Sequence, residues 1–188
     1  MTFSSFKIPL AIAVLATLVI GGAYTLGSFY VLSIAGGVRV EEVASQSASV
    51  GTHAPYFDVP DLTGARVKLS EYSSAPLILV FWASWDSGAA DQIKILDDYI
   101  AKHAMDATFV PVLAVSSQEE KSIVSSFMQR GGYAVRTVLD HEGAITNTYG
   151  VKTLPTFFFL DAEGFIRAEA DGILSEKMIV DNLEKIIK

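Results

Sequence analysis

The chain has 188 residues, a hydrophobic content of 51% and a formal net charge of −7 at pH 7. Nucleic acid is bound through clustered Lys and Arg, so an acidic chain without such clusters predicts no nucleic-acid partner. The sequence contains no cysteine, which excludes thiolate nucleophiles, cysteine metal ligands, iron–sulfur clusters and structural disulfides.

The N-terminal part of the chain is a long apolar run. No charged side chain lies between Lys7 and Arg39, and about 20 apolar residues in a helix suffice to cross a bilayer. We therefore assign residues 1–38 as a single-pass transmembrane anchor, with a cleaved signal peptide as the alternative. Lys7 precedes the run and Glu41 and Glu42 follow it. This distribution predicts that the rest of the chain lies on the extracytoplasmic (periplasmic) side of the cell membrane.

A polar, serine-rich linker at residues 39–51 separates the anchor from one globular domain at residues 52–188. The domain opens with two short strands around a turn at residues 61–64. The apolar run at residues 77–82 then predicts a strand that is covered on both faces of a sheet.

Helices and strands alternate in the rest of the domain. A helix begins after Asp86, which we predict to be its N-cap, and ends near His103. The remaining predicted elements are a strand at 108–115, a helix opened by a capping box of Ser117 and Glu120, a strand at 135–139, a short helix at 144–149, a hairpin of strands at 156–160 and 165–170, and a helix from Ser175. This order predicts an α/β fold with a mixed sheet and helices on both faces.

Three stretches of the domain resemble one family: "GTHAPYFDVPDLTGARVKLSEY", "LILVFWASW" and "YGVKTLPTFFFLDAEGFI". In this order they are similar to the membrane-anchored thioredoxin-like proteins of the TlpA and ResA type, within the redoxin (AhpC/TSA) group. The resemblance covers nearly all of residues 52–188. It implies a thioredoxin-like fold with an N-terminal β-hairpin extension, and the activity of a thiol-disulfide oxidoreductase.

The resemblance places the family's Cys-x-x-Cys pair at Asp86 and Ala89, so both reactive residues are replaced. It implies that Pro155 is a cis proline facing the same turn, and that Val80 stands where thioredoxins carry a buried acid. Disulfide exchange requires a thiolate that attacks sulfur through a mixed disulfide. Neither a carboxylate nor a methyl group can do this. No catalytic residue is therefore assigned, and we predict that the chain is redox-inactive.

The residues around this turn are the candidate partner-binding site: Trp85, Asp86, Ser87, Leu154, Pro155 and Thr156. Exposed tryptophans anchor partners at many interfaces, and the residues around Pro155 could pair with an extended protein or peptide client by strand addition. Structural roles are the alternative: Trp85 would shield the turn, Asp86 would cap the helix, and residues 154–156 would turn into a strand. Trp82 is expected in the core.

No metal or other cofactor is expected, because His53, His103 and His141 lack ligand spacing. The predicted function is that of an extracytoplasmic, membrane-tethered binding or scaffold module, in the envelope redox or cytochrome-maturation pathways that the resemblance implies. The alternatives are a TlpA/ResA-like thiol-disulfide oxidoreductase, a variant of a parent that carries both cysteines, and a purely structural envelope domain. The sequence does not indicate the oligomeric state.

Overall fold

A computed structural model describes residues 48–187 of the chain. Within these residues the strands are β1 (Asp58–Pro60), β2 (Arg66–Lys68), β3 (Leu77–Trp82), β4 (Val112–Ser117), β5 (Thr137–Asp140), β6 (Thr156–Leu160) and β7 (Ile166–Asp171). The α-helices are α1 (Ala89–His103), α2 (Lys121–Gly131), α3 (Ala144–Thr148) and α4 (Glu176–Leu183). A short 3₁₀ helix, Leu69–Tyr72, follows β2.

The main sheet has five strands in the order β5-β4-β3-β6-β7. Strands β3, β4 and β5 run parallel, whereas β6 is antiparallel to both β3 and β7. Strands β1 and β2 form a separate antiparallel hairpin. The predicted mixed sheet and N-terminal hairpin are therefore confirmed.

Strand β3 lies at the centre of the sheet and is buried along its whole length. Because side chains alternate along a strand, Ile78, Val80 and Trp82 pack into a core with α1, α2 and α4 on one face. On the other face, the alternate residues of β3 pack with α3 and the hairpin. The predicted burial of this strand on both sides is confirmed, and so is the placement of helices on both faces.

Several predicted boundaries are wrong by one or more residues, and the largest differences are at the start of β4 and the start of α2. Strand β4 begins at Val112 rather than at residue 108; the preceding Pro111 has no N–H to donate, and its carbonyl accepts the N–H of Ile78. The capping box of Ser117 and Glu120 does not form, because Ser117 belongs to β4. The N-cap of α2 is Glu120, which makes no side-chain capping bond.

The last helix begins as predicted, since the Ser175 side chain accepts a hydrogen bond from the N–H of Met178. The predicted anchor at residues 1–38, and the linker as far as residue 47, lie outside the described residues. Among residues 48–187, no helix combines the length and the apolar character that crossing a membrane requires.

Candidate functional site

The turn that carries the candidate residues connects the end of β3 to the start of α1. Trp82, the last residue of β3, is 1% exposed, which confirms that it belongs to the core. Trp85 lies in the turn and is 66% exposed. Burial of a large aromatic side chain is favourable. Trp85 therefore has exposed apolar surface that a partner could cover, whereas Trp82 has almost none.

Asp86 organises the turn but is not the N-cap of α1. The N-cap is Gly88, whose carbonyl accepts the first helical bond, from the N–H of Gln92. The Asp86 carboxylate accepts the N–H of Gly88 at 2.8 Å, and its backbone carbonyl accepts the N–H of Ala89 at 3.1 Å. The prediction of an N-cap is therefore wrong by two residues. Asp86 instead closes an Asx-type turn before the helix, a common use of this side chain.

The two positions at which the resemblance places the family's cysteines differ in exposure. Asp86 is partly exposed, whereas Ala89 is buried. Ser87 is exposed between them. Asp86 is thus accessible to solvent, whereas Ala89, three residues later, is covered. Neither side chain can exchange a disulfide.

The loop before β6 ends beside this turn. The peptide bond between Leu154 and Pro155 is cis, as the resemblance implied. Phe81 pairs with Thr156 in the sheet, so the end of β3 and the start of β6 lie at the same edge. The Thr156 hydroxyl donates to Asp171 at 2.6 Å and also contacts the Thr153 carbonyl. Its buried side chain therefore fixes the loop rather than facing outward.

A third loop, residues 171–174, reaches the same edge. The N–H of Gly172 donates to the carbonyl of Pro155 at 2.8 Å. Gln92 of α1 is fully buried, and its side-chain amide pairs with the main chain of Leu174: its oxygen accepts the Leu174 N–H at 2.7 Å and its nitrogen donates to the Leu174 carbonyl at 3.3 Å. We call residues 83–88, 153–156 and 171–174 together the binding edge.

Glu119 holds the first residue of the turn. This carboxylate is 5% exposed. It accepts the Ser84 N–H at 2.8 Å, the Ser84 hydroxyl, and the Ser116 hydroxyl at 3.1 Å. Sequence reasoning missed both Glu119 and Gln92. A single sequence does not show which of the adjacent Glu119 and Glu120 points inward.

The electrostatic character of the binding edge is acidic. It contains Asp86 and Asp171 and neither Lys nor Arg. Partial burial raises the pKa of the nearby Glu169, and the charge of Asp171 raises it further. The nearest basic residue in the chain is Lys152, which is exposed immediately before the edge.

The histidines lie apart from this edge. His53 stacks on Phe165, His103 contacts Asp106 and Glu176, and His141 is 3.5 Å from Glu120. Within residues 48–187, no group of three or more His, Asp or Glu side chains is arranged to hold a metal ion.

Comparisons with known proteins agree on one family and one fold. The family model described as AhpC/TSA family matches residues 50–169. The thiol-disulfide oxidoreductase ResA of Bacillus subtilis (strain 168) is 30% identical over 141 residues, which cover 75% of this chain and 78% of ResA.

Solved structures agree with this result. A protein described as the thiol:disulfide interchange protein DsbE of Chlorobium tepidum superposes with a TM-score of 0.65 at 27% identity, covering 73% of this chain and 96% of the other. The exposed lipoprotein thioredoxin of Streptococcus pneumoniae strain TIGR4 superposes with a TM-score of 0.58 at 30% identity, covering 69% and 98%.

The buried carboxylate of Glu119 gives a testable prediction. We expect Glu119→Ala to lower the free energy of unfolding by about 1–3 kcal/mol, because the Ser84 N–H loses its acceptor. Urea unfolding measures this change. The matched control is Glu120→Ala, which removes the same side chain from an exposed neighbouring position. Equal effects of the two variants would contradict the assignment.

Proposed function

The chain belongs to the AhpC/TSA family and has a thioredoxin-like fold, and from this premise we propose that it is a redox-inactive binding module. The observation that carries the proposal is the absence of cysteine from all 188 residues, with Asp86 and Ala89 at the positions of the family's cysteine pair. The module would retain the surface that holds a client and lack the atoms that react with it.

The chemical reason for inactivity lies in the exchange reaction itself. A thiolate attacks a disulfide sulfur, and a mixed disulfide is then resolved by a second thiol. The Asp86 carboxylate cannot form a bond to sulfur that persists as a redox couple, and the Ala89 methyl group cannot resolve one. Peroxide reduction by this family's chemistry fails equally, since it passes through a cysteine sulfenic acid.

The proposed client is an extended protein or peptide segment. Trp85 is the largest exposed apolar side chain of the binding edge, and such residues contribute a large share of interface energy. Within residues 154–156, Leu154 would supply the main-chain groups for pairing with the client. Pro155 has no N–H and its carbonyl already accepts the N–H of Gly172, and Thr156 is already paired within the sheet. Asp86 and Ser87 complete the proposed contact surface, while the Thr156 side chain supports it from within.

We propose an extracytoplasmic, membrane-tethered location for the module. The uncharged stretch between Lys7 and Arg39 supports a retained anchor. One structural relative is described as an exposed lipoprotein thioredoxin. We extend the family resemblance to propose that the module works in envelope redox or cytochrome-maturation pathways. The fold alone does not fix this function.

A displayed library of random short peptides tests the binding role. We expect selection on the full-length chain to enrich peptides whose binding falls about tenfold or more in Trp85→Ala, since an aromatic anchor typically contributes at least 2 kcal/mol. The matched control is Met105→Ala, because Met105 is an apolar side chain that is 98% exposed and lies just beyond the other end of α1.

Two outcomes would contradict the binding role. The first is that no peptide is enriched on the full-length chain above the level found with unrelated protein. The second is that Trp85→Ala and Met105→Ala weaken binding equally, which would place the interaction away from the binding edge.

A second candidate function is thiol-disulfide exchange, which the names of the relatives favour. It applies if the chain is a variant of a parent with cysteines at positions 86 and 89. The partly exposed and buried environments of Asp86 and Ala89 suit an attacking and a resolving thiol, and a helix N-terminus lowers the pKa of a cysteine placed before it.

Restoring both sulfur atoms tests whether the rest of the site is intact. We expect Asp86→Cys combined with Ala89→Cys to reduce insulin about tenfold faster than the isosteric double serine variant, because only the former supplies a thiolate. The turbidity of insulin in the presence of dithiothreitol measures the rate. Equal rates would mean that the loss of activity extends beyond these two positions, for example to Val80.

A further inference from the structure

The side chains of Asp86 and Ile173 both come close to Gly88. A methyl group built on Gly88 would lie 2.5 Å from Ile173 Cδ1 and 3.3 Å from Asp86 Oδ1. The carboxylate and the end of the isoleucine side chain therefore approach the same point. A side chain at position 88 would clash with Ile173 in its present position, so glycine permits this close approach.

The binding edge that carries this carboxylate also exposes two large apolar side chains. Trp85 precedes it in the chain and is 66% exposed, and Ile173 is 47% exposed. The loop that carries Ile173 is fixed at both ends, by the bond from Gly172 to Pro155 and by the amide pair between Gln92 and Leu174. Ile173 is thus held in an exposed position.

The charge of Asp86 has no cationic partner within the described part of the chain. None of the ion pairs formed by residues 48–187 includes Asp86. Its Oδ1 accepts the Gly88 N–H, and Oδ2 receives no hydrogen bond from these residues. The only other ionisable residue of the binding edge is Asp171, so the charged groups of this edge are both negative and favour a cation over an anion.

We propose that the binding edge selects an extended peptide segment bearing a lysine or arginine, whose alkyl stem packs between Trp85 and Ile173 and whose charged head pairs with Asp86. This inference rests on the proposed binding function and names its client chemistry. Long basic side chains combine an apolar stem with a charged head, and their cations also interact favourably with an indole face. The ion pair takes the place of the covalent mixed disulfide in holding the client.

The peptide library selected on the full-length chain provides the probe. We compare the ratio of basic to acidic residues in the peptides enriched on the wild-type chain with the ratio in those enriched on Asp86→Asn. We expect the wild-type ratio to be at least about threefold higher, because a partly exposed ion pair contributes free energy on this scale. Asparagine retains the oxygen that accepts the Gly88 N–H. The matched control is Asp91→Asn, which removes the same charge from an exposed position in the first turn of α1.

One enriched peptide and its twin with norleucine in place of lysine give the second readout. Titration calorimetry should show tighter binding of the lysine peptide to the wild-type chain, a preference that falls as salt screens the charge. Asp86→Asn should lose the preference and Asp91→Asn should keep it.

The possible failures are distinguishable. If no peptide is enriched on the wild-type chain, the binding function fails and this inference fails with it. If peptides bind but lysine and norleucine twins bind equally, the binding function stands and only the basic client is overturned. Equal losses of the preference in Asp86→Asn and Asp91→Asn would also overturn it, because net charge rather than the binding edge would then set the preference.

Discussion

The pairing of β3 with β6 is the constraint on which the site depends. Strand β3 is fully buried and has a hydrogen-bonded strand on each side, so its last residue has little freedom to move. The register that places Phe81 opposite Thr156 brings the turn after β3 and the cis-proline loop before β6 to one edge. The hydrogen bonds of Glu119, Gln92 and Gly172 then hold the individual loops at this edge.

Two buried polar side chains, Glu119 in the loop before α2 and Gln92 in α1, hold the loops of the binding edge. Glu119 holds the start of the turn, and Gln92 holds the loop after β7. An unpaired buried amide or carboxylate would destabilise the fold, so each of these groups stabilises it only when its loop is in place. This dependence holds the loops of the binding edge in place in a chain that has no cysteine to form a disulfide.

The binding edge includes the cis proline that the resemblance implies, and the chain has no cysteine to carry disulfide chemistry. In a redox-active relative, a client is held during turnover by a covalent bond to sulfur. In the function that we propose, the hold on a client comes from noncovalent contacts with Trp85, Asp86 and Ile173. Such contacts are reversible without an electron donor, which suits a protein that retains or presents a client rather than one that converts it.

The elements with local signals could be predicted from the sequence. Strand β3 was predicted at its observed bounds because its apolar run is bounded by Pro76 and by the polar turn. The hairpin of β1 and β2 and the Ser175 cap also follow from neighbouring residues. The positions of Asp86, Ala89 and Pro155 came from the resemblance to a family, and the comparisons support that resemblance.

The features that sequence reasoning missed depend on contacts between distant residues. Glu119 bonds to Ser84 across 35 positions, and Gln92 bonds to Leu174 across 82. No local sequence pattern predicts such a contact. Hydrophobic periodicity indicates which face of a helix or strand is buried, but not which distant residue a side chain contacts. The approach of Ile173 to Gly88, on which its proposed role depends, was missed for the same reason.

The central claim is that the chain binds without exchanging disulfides. The rate at which dithiothreitol reduces insulin in the presence of the wild-type chain tests this claim most directly. The account predicts that insulin precipitates at the rate seen without protein, at every concentration of the chain. A rate that rises in proportion to the concentration of the purified chain would contradict the account.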